Sequence, residues 1–202
     1  GHLVTLFEAR SKLGGQVRWW AQAESRHELI GIISWLEDRI AEEDVSVILN
    51  HKVREAYLEK FDEIIIATGS TGLKHGWTML HPEKWNGNCL PGADSTHVFS
   101  YTELLEKQPK LGEQVLIFDI MGGRQGAVVA EILARQGKVV QFVTQLGQAS
   151  PDLATSRDWG KVHGMLKNLG VKFHVDCELL SIDNDQVVMR DLYTGKNSTF
   201  KN

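Results

Sequence analysis

Apolar residues recur along the chain in short runs, separated by glycine-bearing turns and by stretches of helical period. "LVTLFEA" (residues 3–9) is an apolar run that closes on an acid, and it predicts a strand. "KLGGQ" breaks it. Leu29, Ile32, Ile33, Leu36 and Ile40 then recur at helical spacing, which predicts a helix over 27–40 with one buried stripe. "VSVIL" (45–49) predicts the next strand. "DEIIIATGS" (62–70) reads as a strand running into a Thr-Gly turn, apolar enough to be buried on both faces as in a parallel sheet. Residues 74–91 are irregular, with Trp77, Trp85, two prolines and two glycines. A domain boundary is expected within them or just after.

The second half repeats the alternation. "FSYTELLEKQP" predicts a short helix capped by Ser100, with Glu103 three residues on. "QVLIFDIMGGRQGAVVAEIL" (114–133) reads as strand, glycine turn and amphipathic helix, and "KVVQFVTQ" (138–145) as another strand. Trp159, Val162, Met165, Leu166 and Leu169 mark a helix ended by Gly170. "VKFHVD", "ELLSID" and "QVVMRDLY" predict strands, with turns at Asn184-Asp185 and Thr194-Gly195. The last two read as a hairpin within a meander. Strands thus alternate with helices twice, before an antiparallel end. The fold class is α/β with mainly parallel sheets, in two domains, 1–90 and 91–202.

Composition narrows the function classes. With 202 residues the chain holds one large or two small domains. A net charge of −4 and no long basic run argue against nucleic acid or an anionic membrane surface as partner. No apolar run reaches the roughly 20 residues that span a bilayer, and the start is unlike a secretory signal. A cytoplasmic location is expected. Cys89 and Cys177 form no CxxC pair and read as two unpaired thiols. The eight histidines show no metal-ligand spacing, so no metal site is expected. No side-chain constellation supports a general acid or base, so no catalytic residue is assigned.

The chemistry lies in the turns. In a dinucleotide-binding unit a first strand feeds a glycine turn and a helix, and a second strand ends in an acid that holds the adenosine ribose. "RQGKVVQFVTQ" sits in that second-strand position. "GHLVTLFEAR" resembles it through the shared pattern G-(H/K)-x-V-x-x-(F/V), with Glu8 as the ribose acid. Its own first strand and glycine turn would lie before Gly1. Either the chain is a piece of a longer protein, or residues 3–9 are a first strand in another topology; the piece is favoured. Strand edges left unpaired would then invite a second chain, including another copy of this one. In the later turn Gly123 and Gly126 fit the second and third positions of G-x-G-x-x-G, but Met121 stands at the first. Thr144 and Gln145 replace the ribose acid. Asp119 would repel a pyrophosphate, or else hydrogen-bond the turn amides. Arg124 reads as a phosphate ligand or a solvated loop residue. A working NAD(P) site and a degenerate structural unit both remain open, the second favoured. Trp19, Trp20 and Trp77 read as ring-stacking or, better, interface residues.

The ordered conjunction "FEAR…LGGQ…IIIATGS", with "LPGAD" (90–94) as linker and "VLIFDIMGGRQGAVVAEILARQGKVVQFVT" as a second unit, resembles one family. It is similar to the nucleotide-binding region of the NADH:flavin oxidoreductases that include trimethylamine dehydrogenase and dienoyl-CoA reductase. The resemblance covers essentially the whole chain and implies a Rossmann-like FAD/NAD(P)-binding fold of the three-layer ββα/βαβ kind. It implies that Glu8 binds the adenosine ribose, that Gly14, Gly15 and Gln16 lie along the cofactor, and that Ala67, Thr68 and Gly69 approach it. The cofactor is FAD, or ADP in its place, with NAD(P)H at Gly123 and Gly126 as a further option. Family members carry an N-terminal TIM barrel with FMN and a four-iron cluster (4Fe-4S). That barrel is the implied partner, and this chain alone would not be catalytically complete. The rival reading is a non-catalytic adenine-nucleotide-binding or structural docking module.

Overall fold

A computed structural model describes residues 1–84 and 90–201. By packing, the chain divides into two compact units, Gly1–Ser70 and Thr71–Asn202. The irregular stretch therefore groups with the second unit as far as it is described; Trp85 and Cys89 lie outside the described residues.

In the first unit, β1 (Val4–Phe7) and β2 (Val45–Ile48) pair in parallel, Val4 opposite Val45 and Phe7 opposite Ile48. Parallel neighbours need a crossover, and it is built from α1 (Gly15–Trp20), a 3-10 turn over Glu24–Leu29 and α2 (Ile30–Glu42). A short helix, α3 (Glu55–Leu58), follows β2. The helical period over 27–40 is right in kind, but its first residues form the 3-10 turn. The expected buried stripe is not there. Ile33 is buried, whereas Ile32, Trp35 and Leu36 are exposed. Residues 62–70 also depart from expectation. They form no strand, and Ile65 and Ile66 are 91% and 78% exposed. The reason is common to both. A strand buried on both faces needs a paired neighbour and covering helices, and the two-stranded sheet provides neither here.

The second unit is better covered. Helix α4 (Tyr101–Lys107) opens on the expected capping box: Glu103 N–H donates to Ser100 Oγ at 3.2 Å, and Ser100 N–H donates to Glu103 Oε2 at 3.0 Å. The Ser100 N–H holds the Glu103 carboxyl below its ordinary pKa. Strands β3 (Gln114–Phe118), β4 (Val139–Val143) and β5 (Lys172–His174) form a parallel sheet in that order. Helix α5 (Arg124–Arg135) joins β3 to β4, and α6 (Trp159–Asn168) joins β4 to β5. Small residues on α5 let it pack closely: Ala127, Val128, Val129 and Ala130 are buried, as are Val140, Phe142 and Val143 of β4.

Both helices end in the same way. Gly137 and Gly170 take φ of 82° and 84°, and the amides after them, Lys138 and Val171, reach back to Leu133 O and Leu166 O at 3.1 and 3.0 Å. These are glycine C-caps of the Schellman type, which deliver the chain into β4 and β5. An antiparallel sheet completes the unit: β6 (Cys177–Ile182), β7 (Gln186–Asp191) and β8 (Asn197–Lys201), with a bulge between Leu179 and Ser181. The expected hairpin and meander are present, and β8 is the strand that the turn at Thr194-Gly195 leads into. Buried Glu178 on β6 is satisfied by Arg190 of β7 and by His81 Nε2 at 3.2 Å.

Candidate functional site

The carboxyl ends of parallel strands are where α/β sheets hold ligands, and both units carry glycine turns near such ends. In the first unit the ladder runs one residue past β1. Glu8 N–H donates to Ile48 O at 3.0 Å, and His51 N–H donates to Glu8 O at 2.9 Å. Glu8 Oε1 accepts the Arg10 N–H at 2.8 Å, while Oε2 carries no hydrogen bond among the described residues. One carboxylate oxygen is thus structural and the other is available.

Gly14 and Gly15 both take left-handed φ, 101° and 45°, but for different reasons. A Cβ on Gly14 would lie 2.6 Å from Ile33 Cδ1, so helix packing explains that glycine. Nothing lies within 4 Å of a Cβ on Gly15. Gly69 is left-handed too, at φ 71°, and its sole near atom is Gln16 Nε2 at 3.8 Å. Gln16 Nε2 donates to Ser70 O at 3.1 Å and to Ser70 Oγ at 3.0 Å. The Gly-Gly loop and the end of the Ala67-Thr68-Gly69 segment are therefore tied together, with two open glycines beside the tie. No hydrogen bond joins Glu8 to either. Trp19 is buried beneath the Arg10 guanidinium, 4.7 Å from its ring centroid, so it is not free to stack on a ligand.

The second turn is built differently. Asp119 follows β3, and its Oδ1 accepts the N–H groups of Met121 and Gly122 at 3.1 and 3.2 Å. Its Oδ2 is buried with no partner, and burial pushes the carboxyl pKa up. The left-handed residue is Gly122, at φ 71°, which answers the problem of the missing first glycine. Met121 is not among the left-handed positions, and its side chain is 76% exposed. Gly122 is pinned from above: a Cβ would lie 2.7 Å from Leu146 and 2.8 Å from Pro151. Asp152 N–H also donates to Gly122 O at 3.1 Å.

Gly123 has an extended backbone at φ −79°, and only the flexible end of Gln125 crowds it. Gly126 is the packing glycine, since a Cβ there would lie 2.8 Å from Phe142 and 3.1 Å from Asp119 Oδ2. Arg124 is no free loop arginine; its Nη1 donates to Asp158 Oδ2 at 3.2 Å. Thr144 is fully buried and accepts the Leu146 N–H at 3.2 Å, so it faces the protein. His163 anchors the covering loop through Nε2 and Ala149 O, 2.8 Å apart, while stacked between Trp159 and Phe173. Burial lowers its pKa, which favours the neutral ring.

Sequence reasoning missed Gly122 and Ser70. The Gly122-Gly123 doublet was the available signal for the first. The second had none, because the tie bridges 54 positions. Among the described residues Cys177 is a buried free thiol, and no group of three or more His, Cys, Asp or Glu is placed to hold a metal. No described helix is long and apolar enough to cross a membrane.

Strand, glycine turn, helix and strand, repeated in two units, define an α/β fold of the kind found in FAD- and NAD(P)-binding oxidoreductases. No family model matches the chain. It is 34% identical over 155 residues to the probable N-methylproline demethylase of Rhizobium meliloti, covering 76% of this chain and 21% of that protein. It is 30% identical over 146 residues to the N,N-dimethylglycine/sarcosine dehydrogenase of Chromohalobacter salexigens, covering 71% of this chain and 20% of that one. Among solved structures, 6-hydroxypseudooxynicotine amine oxidase from Pseudomonas geniculata superposes over 100% of this chain and 30% of its own, with a TM-score of 0.87 at 24% identity. The chain belongs to this family of flavin-dependent dehydrogenases and reductases, that of trimethylamine dehydrogenase. It spans about a fifth of the length of the curated relatives it matches.

Proposed function

We propose that the first unit holds the adenosine end of an FAD, or an ADP in its place. The chain would then serve as the nucleotide-binding part of a flavin-dependent, NAD(P)H-linked oxidoreductase. The observation that carries this reading is the pair of open left-handed glycines, Gly15 and Gly69, tied by Gln16 and Ser70. Backbone bare of side chains at those points lets a cofactor come close. The unused Glu8 Oε2 suits a ribose hydroxyl, which donates to a carboxylate. Ala67 and Thr68, exposed beside Gly69, flank the cofactor. When bound, a flavin supplies the hydride and electron chemistry. This chain's residues bind and orient the nucleotide.

The second unit is framework. Its turn amides are occupied by Asp119, and Leu146 and Pro151 cover Gly122. An NAD(P)H pyrophosphate at this turn would compete with Asp119 for the Met121 and Gly122 amides and would meet Leu146 and Pro151 at Gly122. The nucleotide would lie in the unit Gly1–Ser70, within the expected 1–90 domain. The uncovered Ile64–Ile66 stretch and the outer face of α2 favour a further domain of the whole protein, a barrel carrying FMN and a four-iron cluster, as the partner. A second copy of the chain is the alternative cover.

The test is nucleotide content. The protein expressed from its complete natural gene is denatured, and released FAD and ADP are separated by chromatography. About one adenine nucleotide per chain is expected, with a loss of at least about tenfold in Glu8→Ala, one charge-assisted ribose contact. Protein free of adenine nucleotide, or unchanged content in Glu8→Ala, would overturn the proposal.

A further inference from the structure

The first unit carries a second candidate site that the adenosine reading does not use. Just past β2 an open pocket of about 400 Å³ is lined by His51, Lys52, Arg54, Tyr57 and Lys60. Three of the five carry a full positive charge and none carries a negative one. Among the described residues Lys52, Arg54 and Lys60 make no ion pair, although Glu55 and Glu59 are close in sequence. The pocket's frame is aromatic. Phe7 of β1 meets His51, Tyr57 and Phe61 at ring-centroid distances of 5.3, 5.7 and 5.9 Å. Lys60 Nζ lies over the Tyr57 ring, 4.6 Å from its centroid. Glu8 is not among the residues that line the pocket.

We propose that this pocket binds a phosphomonoester borne on a flat ring. Lysine and arginine side chains lining one pocket without internal counter-ions suit a phosphate dianion, and the arginine fork can bind two of its oxygens at once. The aromatic rings of Tyr57 and His51, 5.5 Å apart, give the rest of the ligand flat partners beside the cations. Its place at the carboxyl end of parallel strands is where such sheets bind ligands.

The test is a backbone-amide NMR titration of the 202-residue chain with phenyl phosphate. Saturable shifts at His51, Lys52, Arg54, Tyr57 and Lys60 are expected, with none from benzyl alcohol, which has the ring without the charge. Arg54→Gln should weaken binding at least about tenfold, the scale of one charge-assisted contact. Glu8→Gln should leave it unchanged. Should Arg54→Gln disturb α3, the exposed Lys52→Gln substitution carries the same test, with Arg54→Lys retaining part of the affinity. Shifts that grow linearly without saturation, or equal affinity in Arg54→Gln and Lys52→Gln, would overturn the proposal. So would phenyl phosphate shifts centred on Glu8, Gly15 and Gly69 rather than on the pocket, which would merge it with the nucleotide face.

Discussion

Two glycine turns of common design stand in different surroundings. In the first unit, Gly15 and Gly69 are left-handed and look onto open space. In the second, Gly122 is equally left-handed, but Leu146 and Pro151 fill the space a ligand would need. The donors differ as well. The second turn gives its Met121 and Gly122 N–H groups to the Asp119 carboxylate. A phosphate group would want those same donors. The second unit thus carries its own anion where a nucleotide-binding relative would take up a foreign one, and its burial of side chains is correspondingly better. The lesson is that a glycine marks a backbone conformation, and only the surrounding space says whether the conformation serves a ligand.

Substitutions can break this comparison. The largest effect is expected at Gly126→Val, whose branched side chain would collide with Phe142 in the sheet core. A loss of about 3 kcal/mol is expected from overpacking, read by urea unfolding of the second unit. Gly122→Ala should cost about 1–2 kcal/mol, from left-handed strain plus the clash with Pro151. If Gly122→Ala is silent, the covering loop does not press on the turn as described.

Asp119→Asn probes the internal anion. Burial raises the Asp119 pKa above its unfolded value. The folded state then binds more protons than the unfolded one, so this group's contribution is complete below about pH 3.9 and falls as pH rises through the folded pKa. Asn keeps an acceptor for Met121 and Gly122 without the buried charge. The variant should match or exceed the parent by up to about 1 kcal/mol at pH 7, with the gain shrinking toward pH 4. A gain that grows on acidification would contradict that sign. Gly123→Ala, at an extended position, should fall within about 0.5 kcal/mol of the parent.

Much of the fold was legible because local signals and packing agree. Ser100 and Glu103 form the capping box their spacing announces, and Gly170 ends α6. Residues 62–70 were not legible in the same way. Their apolarity reads as a buried strand, yet burial is a property of neighbours, and this unit has none for them. The position of Gly122 was hidden by motif spacing, which places the first glycine at Met121. Backbone geometry moved the left-handed residue along by one. At the candidate site the residue types of Glu8, Gly15 and Gly69 were readable. The Gln16–Ser70 tie was not, since side-chain hydrogen bonds across 54 positions leave no pattern in a sequence.

The most direct measurement is an amide-resolved NMR titration of the 202-residue chain with ADP. The account expects shifts at Glu8, Gly15, Gln16 and Gly69, with Gly122, Gly123 and Gly126 unmoved. Shifts at the second turn with a silent first unit would contradict it.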